Sequence, residues 1–407
     1  MLQKNNDLVI NFDSGRNEET LDSTLSVIDS SIKGLRNSYI GNKRKLIFNI
    51  IKTIDKYGIK YNTALDLFSG SSYVSIAFKM LGKNVICNDL SNFAYLNALV
   101  YVINNDIELS AGDKDFLMKN ENKHQDISPF FKKYEDRFTD NEIKFLNNYH
   151  NNMCSRFSPN LSDGLTHIKH SIALLSMQNY ILNYCFVGGR LNNGQVLARV
   201  DHRLNHARNF NGCLKRGTEM SFKSSDMVWA KPIKINGSTK NDIFGMDAIR
   251  LLEKINNNDI HMCNKDIDLC YIDPPYGGDQ SDYLSMYDFV NGYYYLQDRE
   301  DRETILDSYT EECKSDMREE IAAKKRFINK KTYKEHFDKM IGLTSNIPWV
   351  VISYNDTSWG NIDDIYSVVK KYRKNVIVEE FSYYYNYRSK SNNKLSTKEY
   401  LILSEAQ

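Results

Sequence analysis

The sequence predicts an α/β fold, and three stretches carry that reading. Ala64-Leu65-Asp66-Leu67-Phe68 is a short apolar strand that passes through the small-residue turn Ser69-Gly70-Ser71-Ser72 into a helical pattern at Val74–Leu81. Strand, small turn, helix is how an α/β sheet presents backbone N–H groups to a nucleotide-like ligand. A second strand, Asn84–Asn88, follows Gly82 and ends on Asp89. About 180 residues on, the continuous apolar run Leu269-Cys270-Tyr271-Ile272 reads as a buried strand and closes on Asp273-Pro274-Pro275-Tyr276.

The remaining elements are read in chain order. Residues 1–30 are polar without a sustained period, so a loosely packed arm is expected. Leu46–Ile54 repeats apolar residues at helical spacing, and 91–105 continues that habit. Residues 106–185 are mainly helical in pattern, most apolar from Ile172 to Leu182, where aromatics suit a core better than a base-stacking platform. Asp242–Ala248 resembles a strand end before a helix, with Asp247 able to cap Ala248–Ile255. Residues 299–341 are strongly charged and read as a solvated helical pair. Trp349–Asn355, Asn375–Phe381 and Lys398–Leu403 are further strands, with the aromatic cluster Tyr383–Arg388 between the last two.

A chain of 407 residues suggests two or three domains at roughly 150 residues each, and 41% apolar content supplies a sizeable core. Seven cysteines without a C-x-x-C pair fit a reducing compartment, with no disulfide and no metal site expected; Cys263 and Cys270 are too isolated to bind one. The sequence has no apolar run near ~18 residues and no secretion signal, so a cytoplasmic chain is expected. Net charge is only +1, so any nucleic-acid contact must come from local clustering.

Such a cluster exists. Between residues 186 and 240, ten basic residues stand against three acidic ones, a local charge of +7. The polar loop Gly188–Gln195 offers Arg190, Asn192, Asn193 and Gln195; Arg199, His202, Arg203, His206 and Arg208 follow closely, then Lys215 and Arg216. Arginine can bond guanine bidentately, asparagine and glutamine can bond adenine, and lysine neutralises phosphate. The competing reading is a solvated charged face.

The four residues after the third strand have a specific use if the substrate is a planar base with an exocyclic amine. Asp273 accepts one N–H hydrogen. Proline has no N–H, so the Pro274 carbonyl can be left free to accept the other. Tyr276 offers a flat face to a base lifted from its stack. Without that use, the same residues are a strand ending in a proline-stiffened turn. Asp89 lies roughly 20 residues beyond the glycine turn, where an acid usually holds a ribose hydroxyl pair.

Together these motifs resemble the alpha-class, Dam-related group of S-adenosylmethionine-dependent DNA adenine methyltransferases, in which the cofactor motif, a target-recognition insertion and the DPPY motif occur in this order. Ser38–Leu46 is similar to the family's N-terminal cofactor segment, which brings in Tyr39, Gly41, Asn42 and Lys43. The resemblance covers roughly residues 36–105 and 240–405. It implies a Rossmann-like methyltransferase sheet ending in an antiparallel strand pair (375–381 and 398–403), plus an inserted, mainly helical target-recognition domain. The implied division is an arm at 1–35, a catalytic domain at 36–105 and 240–407, and the insertion at 106–239. It also implies cofactor contacts at Asp66, Phe68, Ser69, Gly70, Asp89, Leu90, Asp247 and Ala248, and enclosure of the flipped base by the aromatic cluster. Double-stranded DNA is the implied substrate, and a cognate restriction endonuclease a candidate companion. One departure stands out: the family's Phe-x-Gly-x-Gly is Phe68-Ser69-Gly70-Ser71-Ser72 here, placing serine where positive φ is less comfortable.

Related cytosine-amine enzymes usually begin the catalytic motif with serine, so Asp273 favours adenine. Protein glutamine methyltransferases begin it with asparagine and would not need the basic insertion. A catalytically silent DNA-binding module is disfavoured by the intact Asp273–Tyr276 set and Asp89.

Overall fold

The computed structural model describes residues 18–35, 39, 42–120, 127–132, 134–157, 164–185, 227–235, 237, 239–275, 287–295, 327, 331–355, 360–384 and 396–407. Its elements are α1 (Glu18–Gly34), α2 (Ile47–Lys56), β1 (Thr63–Asp66), α3 (Tyr73–Met80), β2 (Asn84–Asn88), α4 (Asn92–Ala98), α5 (Ala111–Leu117), α6 (Pro129–Lys132), α7 (Asp140–Arg156) and α8 (Gly164–Cys185). After these come β3 (Asp242–Phe244), α9 (Ala248–Asn256), β4 (Leu269–Ile272), α10 (Asp288–Tyr295), α11 (Tyr333–Leu343), β5 (Trp349–Asn355), α12 (Ile362–Tyr372), β6 (Arg373–Tyr384) and β7 (Ser396–Ala406).

The seven strands form one sheet in the order β3-β2-β1-β4-β5-β7-β6. The first five are parallel, and β7 runs antiparallel to both β5 and β6, which gives the expected terminal pair. β1 lies between β2 and β4, with Asp66 opposite both Cys87 and Tyr271. The chain moves outward from β1 in one direction through β2 and β3 and in the other through β4 and β5. That reversal opens a crevice at the carboxyl ends of β1 and β4, the usual ligand position in such sheets.

Helices cover both sheet faces, which is why β1 and β4 are continuous buried runs rather than alternating ones. Successive side chains point to opposite faces. Ala64, Leu269, Tyr271 and Val351 pack with α1–α4, α7 and α8, while Leu65, Cys270, Ile272 and Val350 pack with α9, α11 and α12.

The N-terminal arm expectation is corrected for residues 18–34. They form a helix that buries Leu21, Leu25, Ile28 and Ile32 in the main core. Those four repeat at helical spacing, but the intervening serines, threonines and acids keep mean hydropathy low and mask the stripe. The helices α7 and α8 also join the same apolar cluster as the sheet.

Local chemistry sets the helix starts there. Ser110 with Asp113, and Thr139 with Glu142, form reciprocal capping boxes on α5 and α7. Burial alone would raise the Asp113 carboxyl, but hydrogen bonds from Lys169, Ser110 and Arg156 outweigh it and hold it below the usual carboxylate range. α4 runs into a π-helical turn at Leu99–Ile103. Lys79, fully buried, donates to the carbonyls of Asn104 (3.0 Å) and Tyr101 (3.4 Å) at its end; desolvation draws that amine down to about 7.

Among the described residues no helix is long and apolar enough to cross a membrane. β6 is longer than expected, and Tyr383 and Tyr384 of the aromatic cluster pair in the ladder opposite Thr397 and Ser396. The rest of that cluster lies outside the described residues.

Candidate active site

The turn after β1 is anchored to both flanking strands. Leu67 donates its N–H to the carbonyl of Tyr271 (3.0 Å), and Ser69 donates to that of Asn88 (2.8 Å). Gly70 has φ +46°, and a Cβ there would stand 3.2 Å from the Tyr39 ring, so glycine is required twice over. Ser72 has φ +59° at the N-cap of α3, makes no side-chain cap bond, and leaves its buried hydroxyl without a partner. The serine that departs from the family pattern thus occupies left-handed backbone. Ser72→Gly is expected to stabilise the fold by up to ~1 kcal/mol, since the left-handed cost for a non-glycine residue, about 1–2 kcal/mol, exceeds the added backbone entropy. An unchanged or lowered midpoint in thermal melts contradicts this.

Asp89 follows β2 at the same edge. Its Oδ2 accepts from the Gly70 N–H (2.9 Å) and its Oδ1 from the Ser91 N–H (2.8 Å), so the carboxylate is tied directly to the glycine turn. The neighbouring Asn88, fully buried, donates to the carbonyls of Leu67 (3.1 Å) and Met246 (3.0 Å), and accepts from the Met246 N–H (3.3 Å). It thereby ties the ends of β1 and β3 together, a role that no motif signalled. Asp247 caps α9 by accepting from the Arg250 N–H (3.1 Å); Ala248 is buried beside it, and Leu90 is half-buried. Phe68 packs edge-on against Phe327.

The N-terminal segment closes over the turn. Tyr39 stacks on Tyr287 (5.0 Å, 19°) and on Phe93 (6.0 Å, 20°). Asn42 donates to the Tyr39 carbonyl (2.7 Å) and accepts from the Arg44 N–H (3.4 Å), which shapes the local chain. Lys43 reaches the segment after β4: its Nζ lies 2.8 Å from Asp273 Oδ1, with side chains only 7% and 16% exposed. Sequence reasoning linked Lys43 to the cofactor and did not pair it with Asp273. Pro274 is buried and Pro275 half-buried.

Asp66, at the end of β1, is a third carboxylate at this edge. The Ser75 hydroxyl donates to its Oδ2 (2.6 Å), while Oδ1 is buried without a partner. Burial, with added repulsion from Asp273 and Asp89, raises its pKa to about 7 despite the Ser75 bond. Ser75 was another residue without a sequence signal. Gly41, Tyr276 and all the expected DNA contacts (Arg190, Asn192, Asn193, Gln195, Arg199, His202, Arg203, His206, Arg208, Lys215 and Arg216) lie outside the described residues.

Comparison with known proteins bears directly on this arrangement. The family model for D12 class N6 adenine-specific DNA methyltransferases matches residues 39–341, from the stacked Tyr39 through Asp273–Pro275 into α11. The chain belongs to this family. The Type II methyltransferase M2.HphI of Haemophilus parahaemolyticus is 24% identical over 383 residues, which cover 90% of this chain and 97% of that protein.

As a D12-class enzyme the protein transfers a methyl group to adenine in DNA. Adenine therefore stands over the cytosine alternative as the base that is methylated. What the described geometry brings together at the crevice edge where β1, β2 and β4 end is Tyr39, Lys43, Asp66, the Ser69–Ser72 turn, Asp89 and Asp273.

Proposed function

We propose that this D12-class methyltransferase uses S-adenosylmethionine, and that Asp273 with the Pro274 carbonyl grips the N6 amine of an adenine flipped out of double-stranded DNA. The observation that carries the reading is the Lys43–Asp273 ion pair at the edge of the Gly70–Asp89 turn. The residues fit the donor. Asp89 is held by two backbone N–H groups in a position suited to ribose hydroxyls. Among the described residues, Asp66, Asp89 and Asp273 gather at this edge beside the Lys43 ammonium, and Asp66 keeps a buried oxygen without a hydrogen-bond partner, an environment that favours a cation.

When bound, S-adenosylmethionine supplies a methyl group on a positively charged sulfur. Adenine's amine is a poor nucleophile because its lone pair is delocalised into the ring. Asp273 accepts one amine hydrogen and the Pro274 carbonyl the other, which draws the lone pair out of conjugation. Lys43 fixes the Asp273 side chain for that task, and Tyr276 holds the ring flat. Asp273 or water takes the surplus proton after transfer. Catalysis on this account is positioning and electrostatics, and base extraction costs a few kcal/mol offset by stacking and phosphate contacts.

The basic residues from Arg190 to Arg216 are assigned to DNA recognition, within a target-recognition region at 106–239 flanked by catalytic segments 36–105 and 240–407. The likeness to a Type II methyltransferase supports a modification role in the bacterial cytoplasm, beside a cognate endonuclease. The test is to incubate the purified protein with methyl-labelled S-adenosylmethionine and duplex DNA, then map modified adenines in DNA from an expressing host. Label confined to single strands, or absent from DNA, rejects the duplex reading. Asp89→Ala should weaken S-adenosylmethionine binding by a charged hydrogen bond's worth, ~1.5–3 kcal/mol, in titration calorimetry. Unchanged affinity rejects the ribose assignment.

A further inference from the structure

The helix that follows the catalytic motif touches the cofactor side of the crevice through two residues that no motif picked out. Tyr287, one residue before α10, stacks on Tyr39 and tilts against Phe93 (5.4 Å, 39°). Asn291, one turn further along, is 9% exposed. Its Oδ1 accepts from both the Ser91 hydroxyl (3.2 Å) and the Phe93 N–H (3.2 Å). Ser91 is also the residue whose N–H binds Asp89 Oδ1. A continuous set of hydrogen bonds therefore runs from Gly70 through Asp89 and Ser91 to Asn291. In the same helix, the Val290 carbonyl accepts from fully buried Gln178 of α8 (2.8 Å). α10 is thus pinned at adjacent residues to the segment carrying the candidate ribose acid and to the helix that leads into the basic stretch.

We propose that Asn291 is a positioning residue: by accepting from Ser91 and Phe93 it sets the chain direction after β2 and so orients the Asp89 carboxylate toward the ribose. This rests on the assignment of Asp89 under the proposed function. The arrangement asks only for an acceptor at Oδ1, because both partners donate to that atom. Asparagine and aspartate supply one, and leucine, of nearly the same shape, does not. A buried N–H and hydroxyl that lose their acceptor must find another partner by shifting, and the Ser91 backbone moves with them.

The experiment measures S-adenosylmethionine affinity by titration calorimetry, and DNA affinity separately, for the full-length protein and four variants. Asn291→Leu should weaken cofactor binding about tenfold, the equivalent of one or two neutral hydrogen bonds, while DNA affinity is kept. Asn291→Asp should restore cofactor affinity to within about threefold of the parent, since the acceptor returns. Ser91→Ala should fall between them, and it decides the matter if Asn291→Leu does not fold. Asp89→Ala separates the two readings. A weakened Asp89→Ala beside an unaffected Asn291→Leu (or, failing that variant, an unaffected Ser91→Ala) overturns this proposal alone. An unaffected Asp89→Ala overturns the ribose assignment and this proposal with it. Equal losses in Asn291→Leu and Asn291→Asp, or parallel losses of DNA and cofactor affinity, mark general packing and also overturn it.

Discussion

Asp273→Ala is expected to abolish methyl transfer while cofactor binding persists at least in part. Alanine cannot accept the amine hydrogen, so the adenine lone pair stays in the ring and the positioning of the base is lost. Removing one preorganised electrostatic partner of a reacting group typically costs ~10²–10³ in rate, and loss of orientation adds to that. The structure adds a second consequence. Lys43 is 7% exposed and 2.8 Å from Asp273, so the alanine variant leaves a nearly buried ammonium without this carboxylate. Breaking a buried pair from one side costs about 3–5 kcal/mol, discounted here because Asp273 retains some solvent contact. The double variant Asp273→Ala with Lys43→Met should therefore recover stability without recovering activity. Turnover measured with labelled methyl donor in Asp273→Ala would sink the assigned role. Equal denaturation midpoints for the single and double variants would remove the stabilising part of the ion pair.

Arg373→Met should be the most damaging change away from the active site. The guanidinium is 1% exposed at the start of β6. It donates to the carbonyls of Thr344 (2.7 Å), Ile347 (2.8 Å), Pro348 (3.1 Å) and Ser404 (3.2 Å), and to the Ser404 hydroxyl (2.9 Å). These contacts staple the chain entering β5 to β7 at the sheet end opposite the crevice. Desolvation lowers its pKa to about 10, which still leaves it charged near neutrality. Methionine fills similar volume but leaves several buried acceptors unsatisfied, each costing about 1–3 kcal/mol, so a net loss on the order of 5 kcal/mol is expected. That is a large fraction of the ~5–15 kcal/mol holding a typical domain together. Arg373→Lys should recover little, because an ammonium cannot span these acceptors as the planar fork does. Denaturant unfolding checks the loss; a midpoint shift equivalent to less than about 1 kcal/mol rejects the staple.

The strands were the most legible part of the sequence. Leu269–Ile272, Asn84–Asn88 and Trp349–Asn355 have the predicted bounds because a strand buried on both faces must be apolar throughout, and polar turns delimit it. The left-handed position at Ser72 was also readable from the departure from the glycine pattern. The helix α1 was missed because its four core residues are diluted by polar neighbours, so only their spacing carries the signal. Asn88, Ser75 and Asn291 were invisible for a different reason. A buried amide or hydroxyl has no pattern of its own, and its value depends on partners brought by other elements.

By itself the sequence determined the α/β class, the chain order of the glycine turn, the basic stretch and the Asp273–Tyr276 motif, and the acids Asp89 and Asp273 that follow two of the strands, because each rests on residues adjacent in the chain. Only the tertiary structure decided which of these acids meet, that Lys43 answers Asp273 and that Asn291 reaches Ser91. Those pairings span about 200 residues and arise from the strand order, which places β1 between β2 and β4 and gathers their carboxyl ends at one edge.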